Sequence, residues 1–249
     1  MRNNFLNSPV TNINSKPYSN SEVLSQMLYG DRFKILDKKK NWVKIKTDYD
    51  NYIGYIKKDK FYNEFIPKLK IFKIKSKIFF KKKNIYFPTK KYLYFGSGIS
   101  VLNKYKNFVE FKKNKWIKKS DTKPVLHQEK NFTKILKLFL NTKYLWGGKT
   151  SDGIDCSALI QIYFYYNRIF FPRDSKDQIK FCKKNMTKEV LNLKEKIIFW
   201  KGHVAMNINK ENLIHAYGPK KKVIIMNTDK TISKIFKDTN LRPIFLKKI

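Results

Sequence analysis

In 249 residues the chain has two cysteines, three histidines and five arginines, and its 19 acidic residues face 55 basic ones. Each scarcity excludes something. Two cysteines cannot make the disulfide framework of a small secreted domain, which fits a reducing compartment. The scattered histidines and cysteines have no zinc spacing, so neither a metal nor another cofactor is expected. No apolar run is long enough for a membrane-spanning helix. The first residues, Met1 to Val10, lack the apolar core of a secretory signal, and a cytoplasmic location is the expectation. Arginine, the preferred reader of guanine and phosphate, is rare, and the lysines are spread over the whole length. The formal charge of +36, with abundant Asn, Ile, Phe and Tyr, therefore reads as compositional drift. It draws anionic molecules, but no specific nucleic-acid partner is expected.

What is present suffices for two or three domains with real cores. Residues 1–15 are polar, without a period, and read as a loose arm. Residues 16–64 carry short alternating runs: Asp31 to Leu36, Trp42 to Lys46 and Tyr52 to Ile56, parted by Gly, Asn and Asp turns. Such strands make a small barrel. Residues 65–122 repeat the flavour more faintly, from Lys70-Ile-Phe-Lys-Ile74 to Lys115-Trp-Ile117, as a second small barrel, and Ser120 to His127 reads as a linker. From 123 to 249 the pattern changes. Asn131 to Asn141 is amphipathic at helical spacing, and Ala158 to Tyr166 is apolar nearly all round, hence buried. Lys196 to Trp200, His203 to Ile208, Leu213 to Tyr217 and Val223 to Met226 read as successive strands. The fold class is α+β, with one or two all-β barrels ahead of it.

The chemistry lies in Tyr144 to Gln161 and in His203 and His215. Cys156 falls in the first turn of the apolar helix, which Asp155 or a neighbour caps. The helix start there favours thiolate over thiol. Gly147, Gly148 and Gly153 let backbone come close, and amides at the helix start suit an oxyanion. A thiol nucleophile needs a base, and the base needs a partner that holds its tautomer. His203 and His215 lie on two strands of a hairpin. A two- or four-residue loop centred between Lys210 and Glu211 puts them on opposite faces; an odd loop or a bulge puts them on one face, as a relay requires. Cys182 reads as structural, and His127 as a bystander.

These residues resemble known families. Leu28-Tyr-Gly-Asp31, the strand-opening Trp42 and Tyr52-Ile-Gly-Tyr-Ile56 resemble a bacterial SH3-like domain. Tyr144-x-Trp-Gly-Gly148, Gly153-Ile-Asp-Cys-Ser-x-Leu-Ile-Gln161, Gly202-His-Val204 and Ile214-His-Ala216 resemble the NlpC family of cysteine peptidases. Ala158 stands where that family usually has Gly, and the usual Gly-Asp ahead of the first histidine strand is replaced by Lys194 to Gly202. The resemblance implies a papain-like NlpC peptidase domain with a Cys156–His203–His215 triad, Tyr144 helping to hold the oxyanion, and a bacterial cell-wall peptide as substrate. With SH3-like domains in front, the chain resembles γ-D-glutamyl-L-diamino-acid endopeptidases. That subgroup binds the free amine of its substrate through an Asp-Ser pair, here Asp174 and Ser175, with Ser157 alongside. A Glu and a Tyr of the SH3-like domain add to it, here Glu22 and Tyr52. The expected activity is hydrolysis of the γ-D-glutamyl–diamino acid bond in small murein peptides with free N-terminal L-Ala. The alternatives are a non-catalytic cell-wall or anionic-polymer binding module, and an endopeptidase that remodels intact murein.

Overall fold

The computed structural model describes residues 3–184 and 188–246. Residues 1–2 of the expected arm, and 185–187 and 247–249 of the expected peptidase span, lie outside the described residues. The chain divides into two compact units, 1–128 and 129–249.

The first unit is all β. Its first sheet runs β1-β4-β5-β6-β2-β3, built from β1 (Asn3–Phe5), β2 (Val10–Asn14), β3 (Val23–Leu28), β4 (Arg32–Lys39), β5 (Trp42–Thr47) and β6 (Ile53–Lys57). Alternation drives it: in β5, Val43, Ile45 and Thr47 point inward while Trp42, Lys44 and Lys46 face out. Leu6, Ile13, Met27, Phe33, Val43, Ile45 and Ile56 form the core. The stretch expected as a loose arm is thus a correction: Val10–Asn14 pairs along β3, and Asn3–Phe5 along β4. Its asparagines join the ladders through backbone groups, which leave no trace in hydrophobic period.

The second half of this unit holds β7 (Leu69–Ile71), β8 (Lys75–Lys82), β9 (Ile85–Tyr94), β10 (Gly98–Ile99), β11 (Asn103–Tyr105), β12 (Phe108–Lys112), β13 (Lys115–Lys118) and β14 (Thr122–Pro124), in sheets ordered β10-β7-β14 and β11-β12-β13-β8-β9. The expected linker is a second correction, because β14 pairs with β7 and belongs to this unit. Tyr29 leaves the first sheet and buries itself in the second core, with Ile71, Ile78, Leu93, Ile99, Phe111 and Ile117. The chain can reach there because Gly30 has φ +83°; a Cβ at Gly30 would stand 2.6 Å from the Gly98 carbonyl oxygen.

The second unit opens with α1 (Phe132–Lys137), capped by the Asn131 side chain. The helix expected to reach Asn141 stops short, because the Leu138, Phe139, Leu140 and Thr142 amides bond three residues back, while the Asn141 amide turns to the Val223 carbonyl with Asn141 left-handed at φ 63°. A small hairpin, β15 (Lys149–Thr150) and β16 (Gly153–Ile154), leads into α2 (Cys156–Tyr166). Helices α3 (Ser175–Lys184) and α4 (Lys188–Leu191) follow, then β17 (Ile197–Trp200), β18 (His203–Asn207), β19 (Asn212–Tyr217), β20 (Lys222–Asn227), α5 (Thr228–Thr239) and β21 (Ile244–Phe245). The five strands make an antiparallel sheet, β20-β19-β18-β17-β21, and α2 packs on β18 and β19.

Candidate active site

The start of α2 is fixed by charge. Asp155 is the N-cap, and its Oδ1 accepts from the Ala158 amide at 2.8 Å. The same carboxylate takes both arms of the Arg173 guanidinium, at 3.0 and 2.5 Å, and the Gly147 amide at 3.0 Å. The pair is dry, with side chains 1% and 6% exposed for Arg173 and Asp155. The Ser157 hydroxyl donates to Asp155 and accepts from Arg173 Nη1 at 2.9 Å. One fork therefore ties together the mouth of the helix, the Gly147–Gly148 loop and the segment ahead of α3. Gly148 packs so tightly on the Gly153 backbone that no side chain fits there.

Cys156 is the first residue of α2 and is buried. Its sulfur lies within reach of two backbone amides, its neighbour Ser157 and Val204, the residue after His203 on β18. Burial pushes the thiol up to about 12, with the Asp155 charge adding; the Val204 amide, Arg173 and the Ser157 amide pull the other way. Burial thus works against the thiolate that the helix start favours.

The histidines share one face. Met206 pairs with Ile214 and Asn207 with Leu213, and the Ile208 amide bonds the Asn212 carbonyl. The loop is therefore the odd one, Asn209-Lys210-Glu211, closed by the Asn209 side chain accepting from the Glu211 and Asn212 amides. His203 Nε2 sits 3.0 Å from His215 Nδ1. That contact occupies Nε2 of His203 and Nδ1 of His215. Burial lowers His203 to about 4; burial, then His203, lowers His215 to about 3. Both rings are neutral near pH 7. The Tyr217 ring stacks on His215 at 4.6 Å, Trp200 lies 5.6 Å from His203, and His215 Nε2 lies 3.4 Å from Met226 Sδ.

Tyr144 is half-buried, and its ring lies over Gly218. Its hydroxyl is raised above the ordinary tyrosine range by burial first, then by Cys156 and Asp155, against Arg173. It stays a hydrogen-bond donor in electrostatic reach of the sulfur. Asp174 directly precedes α3, and its carbonyl closes the first turn by accepting from the Asp177 and Gln178 amides. Ser175 is the first residue of α3. Gln178 Nε2 donates to the Ser157 carbonyl at 3.0 Å, tying α3 to the mouth of α2. Glu22 is exposed just ahead of β3, and Tyr52 packs on the first core; both belong to the first unit. His127 also belongs there, its ring edge-on to Phe72, and Cys182 is buried in α3. Among the described residues no group of three or more His, Cys, Asp or Glu is placed to hold a metal ion.

Sequence reasoning missed Arg173, Met226, Trp200 and Tyr217. Only Arg173 left a signal: it is one of five arginines against fifty lysines and stands directly before Asp174-Ser175.

A thiol at the start of a buried helix, packed on an antiparallel sheet that carries a histidine pair, is a papain-like arrangement. Residues 141–239 match the NlpC/P60 family, and residues 14–61 match the bacterial dipeptidyl-peptidase SH3 domain. NlpC/P60 peptidases are hydrolases of the cell-wall type. The chain is 33% identical over 78 residues to dipeptidyl-peptidase 6 of Lysinibacillus sphaericus, covering 31% of this chain and 28% of that protein. It is 28% identical over 128 residues to the γ-D-glutamyl-L-lysine dipeptidyl-peptidase of Bacillus subtilis (strain 168), covering 47% of this chain and 43% of that one. The matches thus span less than half the length of either relative. An NlpC/P60 family protein from Bacillus cereus ATCC 10987 shares the fold, with a TM-score of 0.72 at 19% identity over 90% of this chain and 94% of that one.

Proposed function

We propose that this protein hydrolyses the γ-D-glutamyl–diamino acid bond of small murein peptides that carry a free N-terminal L-Ala. The observation that carries the reading is the His203–His215 contact at 3.0 Å on the strand against which Cys156 is packed. His203 Nδ1 takes the thiol proton as sulfur attacks the γ-carbonyl. Amides at the start of α2 and the Tyr144 hydroxyl hold the oxyanion. The C–N bond breaks, His203 protonates the leaving amine, and a thioester remains. Water, deprotonated by His203, then splits the thioester and returns the thiol. His215 holds the His203 ring.

The free-amine preference is assigned to Asp174, with Ser175 alongside. The B. subtilis relative's name and the Arg173 fork that anchors the preceding residue support it. Ser157 is spent in that fork and contributes by shaping it. The test is mass spectrometry of products from L-Ala-γ-D-Glu-diaminopimelate and from its N-acetylated form, with Cys156→Ala as control. Cleavage of the free peptide alone supports the reading. Equal kcat/KM on both forms removes the amine site and leaves an endopeptidase of intact murein. No cleavage of either, with an intact fold, leaves a binding module.

A further inference from the structure

His215 is wholly buried, and both of its ring nitrogens have partners. Nδ1 meets His203 Nε2 at 3.0 Å, and Nε2 meets Met226 Sδ at 3.4 Å. The two contacts are not equal in kind. A thioether sulfur has no hydrogen and can only accept. The histidine contact can run either way, depending on where the hydrogens sit. Since burial disfavours charge on both rings, each carries one hydrogen, and only two of the four tautomer combinations make the 3.0 Å contact a hydrogen bond.

In the first, His215 Nε2–H donates to the Met226 sulfur, and its bare Nδ1 accepts from His203 Nε2–H. His203 Nδ1 is then bare and can take a proton. In the second, His215 Nδ1–H donates to His203 Nε2. A lone pair on His215 Nε2 then faces the lone pairs of sulfur, and the one hydrogen of His203 sits on Nδ1, where it blocks the base. Met226 accepts in the first arrangement and repels in the second. It reaches its place from β20, where Ile224 pairs with His215 and Met226 with Leu213, so it stands diagonally next to His215.

We propose that Met226 is a positioning residue: its acceptor-only sulfur sets the tautomers of both histidines and so leaves His203 Nδ1 bare for the Cys156 thiol. The proposal rests on the reading of Cys156 and His203 as nucleophile and base. Met226 touches no reacting atom; it acts through His215.

Long-range 1H–15N correlation spectra of the full chain with 15N-labelled histidine test it, with His127 as internal reference. In the wild type, His203 and His215 both show the Nε2–H pattern. Met226→Leu keeps volume and removes the acceptor. A buried N–H without acceptor costs more than a buried bare nitrogen, so both rings move toward Nδ1–H while His127 stays put. On the free tripeptide kcat falls about tenfold with KM unchanged, as for loss of a group acting only in the chemical step. An Nδ1–H pattern at His215 in the wild type overturns the proposal, and that reading stands even if Met226→Leu fails to fold. So do unchanged histidine shifts and unchanged kcat in a folded variant. A wild type that cleaves no murein peptide removes the proposed function instead, and the same spectra still report the tautomers.

Discussion

At the mouth of α2, Asp155 and Arg173 bury two full charges against each other; on β18 and β19, His203 and His215 are buried as neutral rings. Both regions exclude water, but they use the exclusion differently. The charged side is saturated: both carboxylate oxygens and both guanidinium arms have partners. That side serves as geometry. On the neutral side burial removes charge without replacing it, and that side keeps one nitrogen for a proton. A site can therefore be rigid and reactive at once, provided that full charges hold the frame and groups stripped of charge move the proton.

The comparison fails at once if the thiol is not the group served by both sides. Cys156→Ala is expected to abolish turnover of the free tripeptide, by on the order of 10⁵–10⁶-fold as for loss of a nucleophile that acts as part of a unit. Circular dichroism should show the fold kept. Residual activity above a few per cent would mean another nucleophile.

The neutral side comes next. His203→Ala is expected to cost nearly as much as loss of the thiol, whereas His215→Gln leaves a measurable rate, because an orienting group matters less than the base. Steady-state kcat of the two variants decides it. Full activity in both would mean that the pair is packing, not relay.

The charged side should answer in stability. Arg173→Met strands a buried carboxylate, at a cost of about 3–5 kcal/mol. The double variant Arg173→Met/Asp155→Leu removes both charges and should recover part of that in urea unfolding. If Arg173→Met alone costs under about 1 kcal/mol, the range of an exposed pair, the charged frame has no structural meaning.

Acid separates the two sides further. A histidine lowered in the folded state binds fewer protons there than in the unfolded chain, so stability falls as pH drops below the ordinary histidine range, and continues to fall toward the folded value of about 4. Thermal melts between pH 7 and 4 should show the drop, smaller in His215→Gln. A flat melting temperature over this range would mean that the rings take up protons in the fold as readily as in the unfolded chain.

The smallest effect is expected at the edge of the charged side. Asp174→Asn should lower kcat/KM for the free tripeptide by the equivalent of about 1.5–3 kcal/mol, and leave the N-acetylated peptide unaffected. An equal loss on both peptides would mean that Asp174 serves the fold of α3 instead.

Much of this could be read in the sequence because it repeats with a period or sits in a local motif. Val43 and Ile45 alternate with Trp42 and Lys44, and the strand follows. Cys156 stands between a Gly-rich approach and an apolar run, and the parity of the histidine hairpin could be posed in advance from the spacing of His203 and His215. What escaped depends on partners far along the chain or on depth. Arg173 meets Asp155 eighteen residues away. The strands at Asn3–Phe5 and Val10–Asn14 are held by backbone pairing that side-chain pattern does not encode. The burial that pushes the Cys156 thiol up depends on packing from far along the chain, and no local signal carries that.

The SH3 match ends at residue 61, but Tyr29, inside it, is walled in by Phe65 and Phe111, which lie beyond it. The stretch that similarity marks as a module therefore lacks a wall of its own house. Passed alone from one gene to another, it would arrive with Tyr29 facing water. Tyr29 thus makes the two β bodies of residues 3–124 share a core that 14–61 alone would leave open.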